Sequence, residues 1–427
     1  MRVSVRAAFR ISFFMQVAHP ISRSPLSARR VRAHGILLAA VIWTVYLWTL
    51  ATPTLRDRNG LLKGTDFLHF YTLGSLALEH RGADLYDMRA QSAIAEQKVP
   101  EAGQMVYVPL YGPQVSLLFA PLAALPYSAA LPLWLVTNVL IYALCCYAIW
   151  RICPGLQNDK LTVFILAAGY PALIHLLAWG QTSGIALACF TAAYLALRSE
   201  RPFVAGLAIG CLAFKPQLGL ASAAVLLFTL EWKVIGGALI TAVAQLAAGW
   251  IYYGRSVMLD YFQHLLRVQG VYSLLEPRPY QMHSLRSFWA MLVPSSSWAF
   301  VLYLISTVFV LWMTVRFWRT SAALGLRFSV LLLASVLVSP HLTVYDLVIL
   351  APAFLLISGC VIGHASEPKN HFLQLLLYAS YLAPLIGPLS QWTRIQISVP
   401  AFVALLWIVI RISGVSRSTD SQYLAPA

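Results

Sequence analysis

Apolar residues in this chain gather in long runs instead of alternating with polar positions. Many of the runs approach the roughly 20 residues that an α-helix needs to cross a bilayer. The pattern predicts about twelve membrane spans, with polar or charged turns between most of them. The predicted spans are 35–52, 129–150, 161–179, 183–198, 203–214, 217–231, 234–253, 297–315, 327–339, 345–362, 372–389 and 397–414.

The segments outside these spans fall into tails and two long loops. Residues 1–34 are rich in arginine and lack an apolar core of signal-peptide length, which predicts a flexible cytoplasmic tail, and 415–427 form a second one. Residues 35–414 form one membrane domain, with long loops at about 53–128 and 254–296. The apolar segment 109–126 contains four prolines, which favours a re-entrant or juxtamembrane segment. If it crosses the bilayer instead, the orientation of the later spans reverses.

Composition supports a membrane protein. Apolar residues make up 59% of the 427 residues and charged residues 11%, against about 25% charged in soluble proteins. These values exclude a soluble multidomain enzyme, and they exclude a disordered chain because disorder requires low hydrophobicity. We therefore predict an all-α polytopic bundle of about twelve transmembrane helices.

The net charge of +15 is explained by the predicted orientation of the chain in the membrane. In a soluble protein such a charge would suggest nucleic acid as a partner. Here most of the excess Lys and Arg falls on the side of the N-terminus when the spans alternate, as the positive-inside rule requires. We expect both termini in the cytoplasm of a bacterial-type plasma membrane, surrounding lipids as partners and no nucleic acid.

The sequence gives little support for a metal site or for disulfide bonds. The six cysteines lie in or beside apolar runs without Cys-x-x-Cys or Cys/His spacing, which favours small buried hydrophobic side chains. An Asp-x-Asp motif, a phosphate-binding glycine loop and a dinucleotide turn are absent from the sequence. We expect neither a metal nor a cofactor.

Five polar clusters fall on the same predicted outer side, at span ends and in the long loops. They are 64–71, 180–183, 215–217, 276–286 and 339–346. Structural roles are also open to them: Asp66 and Asp346 can cap helices, Lys215 can reach the interface, and His341 can lie in the interfacial belt. Together a carboxylate, basic side chains and aromatic rings favour transfer of a sugar from a lipid-phosphate donor to a hydroxyl group.

At these residues the chain resembles glycosyltransferase family 87, multi-spanning enzymes of the GT-C type that use polyprenyl-phosphate sugars. The family includes polyprenyl-phosphate-mannose-dependent α-mannosyltransferases. The resemblance covers roughly residues 60 to 360. The matching pieces are Asp66-Phe67 with Tyr71, Gly82-Ala83-Asp84-Leu85-Tyr86, Tyr107-Val108-Pro109 before Pro121-Leu122, Gly180-Gln181, Ala205-Gly206 with Lys215-Pro216-Gln217, and Ser339-Pro340-His341 with Tyr345-Asp346.

The resemblance implies roles for particular residues. Asp66 would be the catalytic base of an inverting single displacement, and Lys215 and His341 would hold the donor phosphate. Further donor-phosphate or substrate-binding candidates are Gln181, Tyr345, Arg278 and Tyr71. The implied donor is a polyprenyl-phosphate sugar, with mannose as the expected sugar, and the acceptor is a glycolipid or glycan of the cell envelope.

One element departs from the family pattern. Where an Asn-Gln-Ser-Leu-like element is expected, the chain has Met282-His283-Ser284-Leu285, which leaves the sugar and acceptor preference open. Two other functions remain as alternatives. A transporter or flippase of lipid-linked sugars would require mid-span charges and an internal repeat. A non-catalytic membrane scaffold would tolerate the loss of Asp66, Lys215 and His341 together.

Overall fold

The computed structural model describes residues 27–267, 278–362 and 368–420. In these ranges the chain is helical and has no β-strand, only two isolated bridges, which confirms the predicted all-α class. The helices are α1 (Ala28–Leu50), α2 (Thr65–Leu78), α3 (Met88–Lys98), α4 (Gln114–Ala123), α5 (Tyr127–Arg151), α6 (Pro154–Gln157), α7 (Lys160–Ala168), α8 (Pro171–Trp179), α9 (Ser183–Arg198), α10 (Pro202–Gly210), α11 (Leu220–Thr229), α12 (Trp232–Arg267), α13 (Leu285–Leu292), α14 (Ser296–Trp318), α15 (Leu324–Val338), α16 (Ala351–Ile362), α17 (Pro368–Ile386), α18 (Ser390–Thr393) and α19 (Ser398–Asp420).

Apolar surface on the outside of the bundle marks a membrane protein. Six stretches of the described chain are long and apolar enough to cross a bilayer, and shorter apolar helices accompany them. Their outward faces carry large apolar side chains: Leu144, Phe164 and Val308 are 65%, 70% and 66% exposed. Exposing so much apolar surface to water would be unfavourable, whereas the acyl chains of a bilayer are themselves apolar.

Helix α15 forms the centre of the bundle. Every residue from Phe328 to Val338 is buried, and the helix packs against α9, α11, α14, α16 and α19. A helix that is apolar on all sides is buried on all sides. The predicted span 327–339, which is short for a bilayer, therefore lies inside protein instead of facing lipid.

The first long loop is itself folded, because α2, α3 and α4 lie within it. Helix α4 has ten residues, so it is about 15 Å long and spans only half of the roughly 30 Å apolar layer. It packs closely on α2 at Gly74, where a Cβ would come within 2.6 Å of the Phe119 carbonyl oxygen. The loop thus forms a helical unit that rests on the bundle.

Several predicted boundaries shift. Helix α1 begins at Ala28, so the end of the predicted tail is helical, and residues 1–26 lie outside the described ranges. Helix α12 kinks at Gly254 and continues to Arg267 into the second long loop. Helix α19 runs to Asp420, past the predicted end at 414. The six cysteines carry free thiols, and four of them are buried.

Close backbone packing between α10 and α12 fixes the segment that precedes Lys215. A Cβ on Gly206 would lie 2.1 Å from the Val234 carbonyl oxygen, and one on Gly210 would lie 2.3 Å from that of Ala238. Small residues at such spacing let membrane helices approach backbone to backbone. The 3₁₀ turn Cys211–Phe214 then leads directly to Lys215.

Candidate active site

Helix α2 begins directly after a left-handed residue, Gly64, at φ 66°, and Asp66 lies in the first turn of the helix. Position 64 favours glycine, because L side chains rarely adopt this backbone conformation and a Cβ would also come within 2.4 Å of the Leu131 side chain. The hydroxyl of Tyr127 donates to the carbonyl oxygens of Lys63 and Gly64 at 2.8 and 3.0 Å. These contacts fix the start of α2 and with it the position of the Asp66 carboxylate.

Gln181 reaches this carboxylate from the turn between α8 and α9. Gly180 ends α8 in the left-handed conformation, at φ 67°, and a Cβ there would lie 2.7 Å from Cβ of Phe67. Trp134 Nε1 holds the turn by donating to the Gly180 carbonyl oxygen at 2.8 Å. Gln181 Nε2 then donates to Oδ2 of Asp66 at 2.9 Å.

A buried ion pair lies on the other side of Gln181. Lys215 Nζ and Asp346 Oδ1 are 2.6 Å apart, and their side chains are 3% and 1% exposed. Ser183 Oγ accepts from Lys215 at 3.1 Å and donates to Asp346 Oδ1 at 2.5 Å. The backbone N–H and hydroxyl of Thr343 donate to Asp346 Oδ2, both at 3.1 Å. Both carboxylate oxygens are therefore hydrogen-bonded, as a buried charge requires.

Tyr345 connects the ion pair to Asp66. The ammonium of Lys215 lies 5.1 Å from the centroid of its ring, within the range of a cation–π contact. Its hydroxyl oxygen accepts from Gln181 Nε2 at 3.2 Å. One continuous set of contacts thus runs from the Asp66 carboxylate through Gln181 and Tyr345 to Lys215 and Asp346.

The environment of Asp66 suits a base. Asp66 keeps part of its surface exposed. Desolvation nevertheless raises the pKa of its carboxyl from 3.8 to about 6, while the Gln181 amide and the Lys215 charge oppose the rise. At neutral pH the carboxylate is ionised, and it binds a proton more readily than an ordinary aspartate does.

The second long loop joins the site through the segment that contains His341. Met282 forms an isolated bridge with Thr343, and the His283 N–H donates to the Leu342 carbonyl oxygen at 3.0 Å. His283 is buried, with Nδ1 2.7 Å from Ser398 Oγ. The residue that departs from the family pattern therefore anchors this loop to α19. His341 lies beside this anchor and is partly exposed.

The other two candidate residues have different surroundings. Arg278 is exposed at the start of the described part of the second loop, and positions 276 and 277 of its cluster lie outside the described ranges. Tyr71 is buried in an aromatic group with Phe67 and Tyr127, and its hydroxyl donates to the Leu125 carbonyl oxygen at 2.8 Å. These contacts hold α2 against the start of α5.

Four candidate site residues, Asp66, Gln181, Lys215 and Tyr345, come together as one site. Ser183 and Asp346 also belong to it. Both lie in the predicted polar clusters, but sequence reasoning gave neither of them a role at the site. The available signal was the spacing Thr343-x-x-Asp346, which predicts a capping box, and the structure contains that box.

Side chains that commonly bind metal ions are not clustered in the described part of the chain. Within the described ranges, no group of three or more His, Cys, Asp or Glu side chains is arranged to hold a metal ion. The charged pair at the site is matched internally, and Asp66 is held by an amide. The arrangement can form hydrogen bonds to a substrate, and Asp66 can act as a general base.

Comparison with known proteins identifies the family of this chain. No curated protein and no solved structure matches the chain. The family model of glycosyltransferase family 87 matches residues 110–340. This stretch is more than half of the chain and contains Gln181, Ser183, Lys215 and His283. With the all-α bundle and the site geometry above, the match shows that the chain belongs to glycosyltransferase family 87.

Proposed function

We propose that this protein transfers a sugar, with mannose as the expected sugar, from a polyprenyl-phosphate donor to a hydroxyl group of a glycolipid or glycan. The observation that carries the proposal is the Asp66 carboxylate. It is partly exposed, hydrogen-bonded to Gln181 at 2.9 Å, and has a pKa raised to about 6. Membership of a glycosyltransferase family supplies the reaction class.

The proposed reaction is a single displacement. Asp66 removes the proton of the acceptor hydroxyl as that oxygen bonds to the anomeric carbon of the sugar. The bond from the anomeric carbon to the phosphate oxygen breaks, and its electron pair leaves with the polyprenyl phosphate. One-step attack from the opposite face inverts the anomeric centre. Gln181 keeps the Asp66 carboxylate oriented during the attack.

The contacts of Lys215 narrow its role in this proposal. Its charge is matched by Asp346 at 2.6 Å, so we assign Lys215 to positioning Asp346 and Tyr345 and to the electrostatics at Asp66. Direct contact with the leaving phosphate then falls to His341 and Arg278, which are both accessible. Cationic or hydrogen-bonding groups at that position stabilise the charge that develops on the leaving oxygen.

We further propose that the site faces the outer side of a bacterial-type plasma membrane and that both termini are cytoplasmic. Exposed Arg278 and Glu200 lie on opposite predicted sides. Arg278→Cys should react with a membrane-impermeant maleimide in intact cells, and Glu200→Cys should react only after permeabilisation. The reverse pattern would contradict the orientation without affecting the chemistry.

The function is tested with the purified full chain, native membranes as acceptor source and radiolabelled polyprenyl-phosphate-mannose. We expect labelled glycan from the wild type and none from Asp66→Asn. A matched control is Asp87→Asn, in the same loop, where the side chain is exposed and caps α3. Because Asn caps as well as Asp does, this control should keep wild-type activity. Full turnover by Asp66→Asn would refute the base assignment, and label crossing the bilayer without transfer would indicate a transporter.

A further inference from the structure

His69 is a buried imidazole beside the site that the proposed chemistry leaves unused. It is 4% exposed and lies three residues after Asp66 in α2. Its ring centroid is 4.8 Å from that of Tyr107 and 5.7 Å from that of Tyr111. Residues three apart on a helix lie on one face, with about 5–6 Å between their Cβ atoms. His69 and Asp66 therefore point to the same side of α2.

Both ring nitrogens of His69 lack a hydrogen-bond partner among the described residues. One turn further along the same face, the hydroxyl of buried Thr72 is also unpartnered within the described chain. By contrast, Ser75 in the same helix donates to the Tyr71 carbonyl oxygen at 3.0 Å. Leaving a buried polar group unpaired is costly, so such groups call for an explanation. One explanation is that these groups bind a ligand, and the position of His69 next to Asp66 supports this explanation.

The two tyrosines beside His69 both border the catalytic constellation. The Tyr107 hydroxyl donates to the carbonyl oxygen of Thr65, the residue before Asp66. Burial raises the pKa of Tyr111, and hydrogen bonding to Gln181 opposes that rise. Both rings are partly exposed and belong to a segment without regular structure. An acceptor that reaches His69 must displace one of these rings, and either ring can move without moving a helix.

We propose that His69 binds a second hydroxyl group of the acceptor, next to the hydroxyl that Asp66 deprotonates. This inference rests on the proposed function and deepens it, because it makes the acceptor a carbohydrate that presents neighbouring hydroxyls. A single-hydroxyl acceptor such as a serine or threonine side chain would leave the imidazole unpaired. The rings of Tyr107 and Tyr111 offer apolar faces against which a sugar ring can pack.

The protonation state of His69 suits this role. Desolvation lowers the pKa of His69 to about 3, so the imidazole is neutral at physiological pH. A neutral imidazole has one donor and one acceptor nitrogen. A sugar hydroxyl also both donates and accepts, so the two groups match without adding charge beside the Asp66 carboxylate.

The alternative is that His69 is only a core side chain. The two explanations predict different outcomes for His69→Phe. Replacing an unpaired buried polar group by an apolar ring should leave stability unchanged or improved in either case. If His69 binds the acceptor, the acceptor concentration that gives the half-maximal rate should also rise about tenfold. The maximal rate and the KM for the donor should stay close to wild type.

The experiment uses the full chain with labelled polyprenyl-phosphate-mannose, while native acceptor membranes are titrated from limiting to saturating amounts. His69→Asn, which restores a donor and an acceptor in the ring position, should recover part of the acceptor affinity. The control is His264→Phe, which replaces a partly exposed imidazole that lies 5.3 Å from the Tyr86 ring and has Nδ1 2.8 Å from the Asp260 carbonyl oxygen. Its acceptor dependence should be that of the wild type.

Each outcome decides one of the two proposals. A normal acceptor dependence in His69→Phe, with transfer by the wild type, overturns the hydroxyl-binding role and leaves the proposed function standing. Failure of the wild type to transfer label contradicts the proposed function and the inference that rests on it. If His69→Phe does not fold, His69→Ala provides the same comparison. Unchanged acceptor affinity in a folded His69→Ala variant also overturns the role.

Discussion

Replacing Asp66 by asparagine should abolish transfer and, at neutral pH, stabilise the protein. The pKa of Asp66 in the folded state is about 6, against 3.8 for the free side chain. The folded protein therefore holds this proton more tightly than the unfolded chain does. Its contribution to stability is complete below pH 3.8 and is lost as the pH rises through about 6. Asparagine has no charge to desolvate, so the variant avoids this loss.

The size of the effect follows from the two pKa values. The difference between 3.8 and about 6 corresponds to about 3 kcal/mol of unfolding free energy at pH 7. Asp66 is partly exposed, and solvent screening reduces the figure, so we expect about 1 to 3 kcal/mol. Asparagine can still accept the Gln181 hydrogen bond through its side-chain oxygen. A gain in stability together with loss of activity is typical of a residue kept for chemistry.

The assay is thermal unfolding of wild type and Asp66→Asn between pH 4 and pH 8, followed by intrinsic tryptophan fluorescence. Trp134 and Trp318 are buried, so unfolding changes their emission. We expect the unfolding temperatures to converge near pH 4 and to separate by about 1 to 3 °C above pH 6. Asp87→Asn, in an exposed cap, should show no comparable separation.

Two results would refute the reasoning. If Asp66→Asn and wild type differ equally at pH 4 and pH 7.5, the carboxylate charge is not the source of the difference. If the variant is less stable at pH 7.5, the hydrogen bonds of Asp66 outweigh its desolvation. Wild-type transfer at limiting donor, which reports the free enzyme, should rise with pH and level off above about pH 6, since the base must be ionised.

Two further predictions concern the residues around Asp66. Lys215→Met should destabilise the protein by about 3–5 kcal/mol, because Asp346 would remain buried and unpaired. Lys215→Met with Asp346→Leu should be more stable than Lys215→Met alone, which a double-mutant cycle of unfolding temperatures checks. Gly180→Ala should cost about 1–2 kcal/mol for the left-handed backbone. This substitution should also reduce transfer at least tenfold. The new methyl group would press against Phe67 and displace Gln181 from the Asp66 carboxylate. Activity equal to that of the wild type would show that Gln181 does not position Asp66.

Apolar run length predicted where most helices lie, but not where they break. The predicted span 183–198 coincides with α9. The predicted span 161–179 is two helices, α7 and α8, separated at Gly169 and Tyr170. Pro171 was the signal, since proline favours the first position of a helix, but the run of apolar residues concealed it. The break lets the Tyr170 hydroxyl donate to the Leu347 carbonyl oxygen at 2.7 Å, close to Asp346.

Helix periodicity explains which neighbour of Asp66 shares its side of α2. Tyr71 follows Asp66 by five residues, which places it on a different face of α2, where it bonds the Leu125 carbonyl oxygen. His69 follows by three residues and shares the face of Asp66. The period of the helix therefore favoured His69 over Tyr71, although only Tyr71 belongs to the family pattern. The pairing of Lys215 with Asp346 had no such local signal, because 131 residues separate them.

The charges of the site constrain how a lipid-phosphate donor can bind. Lys215 and Asp346 cancel, which leaves the Asp66 carboxylate as the unmatched charge in the constellation. An anionic donor phosphate close to Asp66 would raise the pKa of that carboxyl further, because like charges disfavour ionisation. Asp66 would then be a stronger base with the donor bound than without it. In the proposed reaction this couples proton removal to the presence of the donor. It also requires the phosphate to be held by the accessible residues His341 and Arg278 instead of by the buried pair.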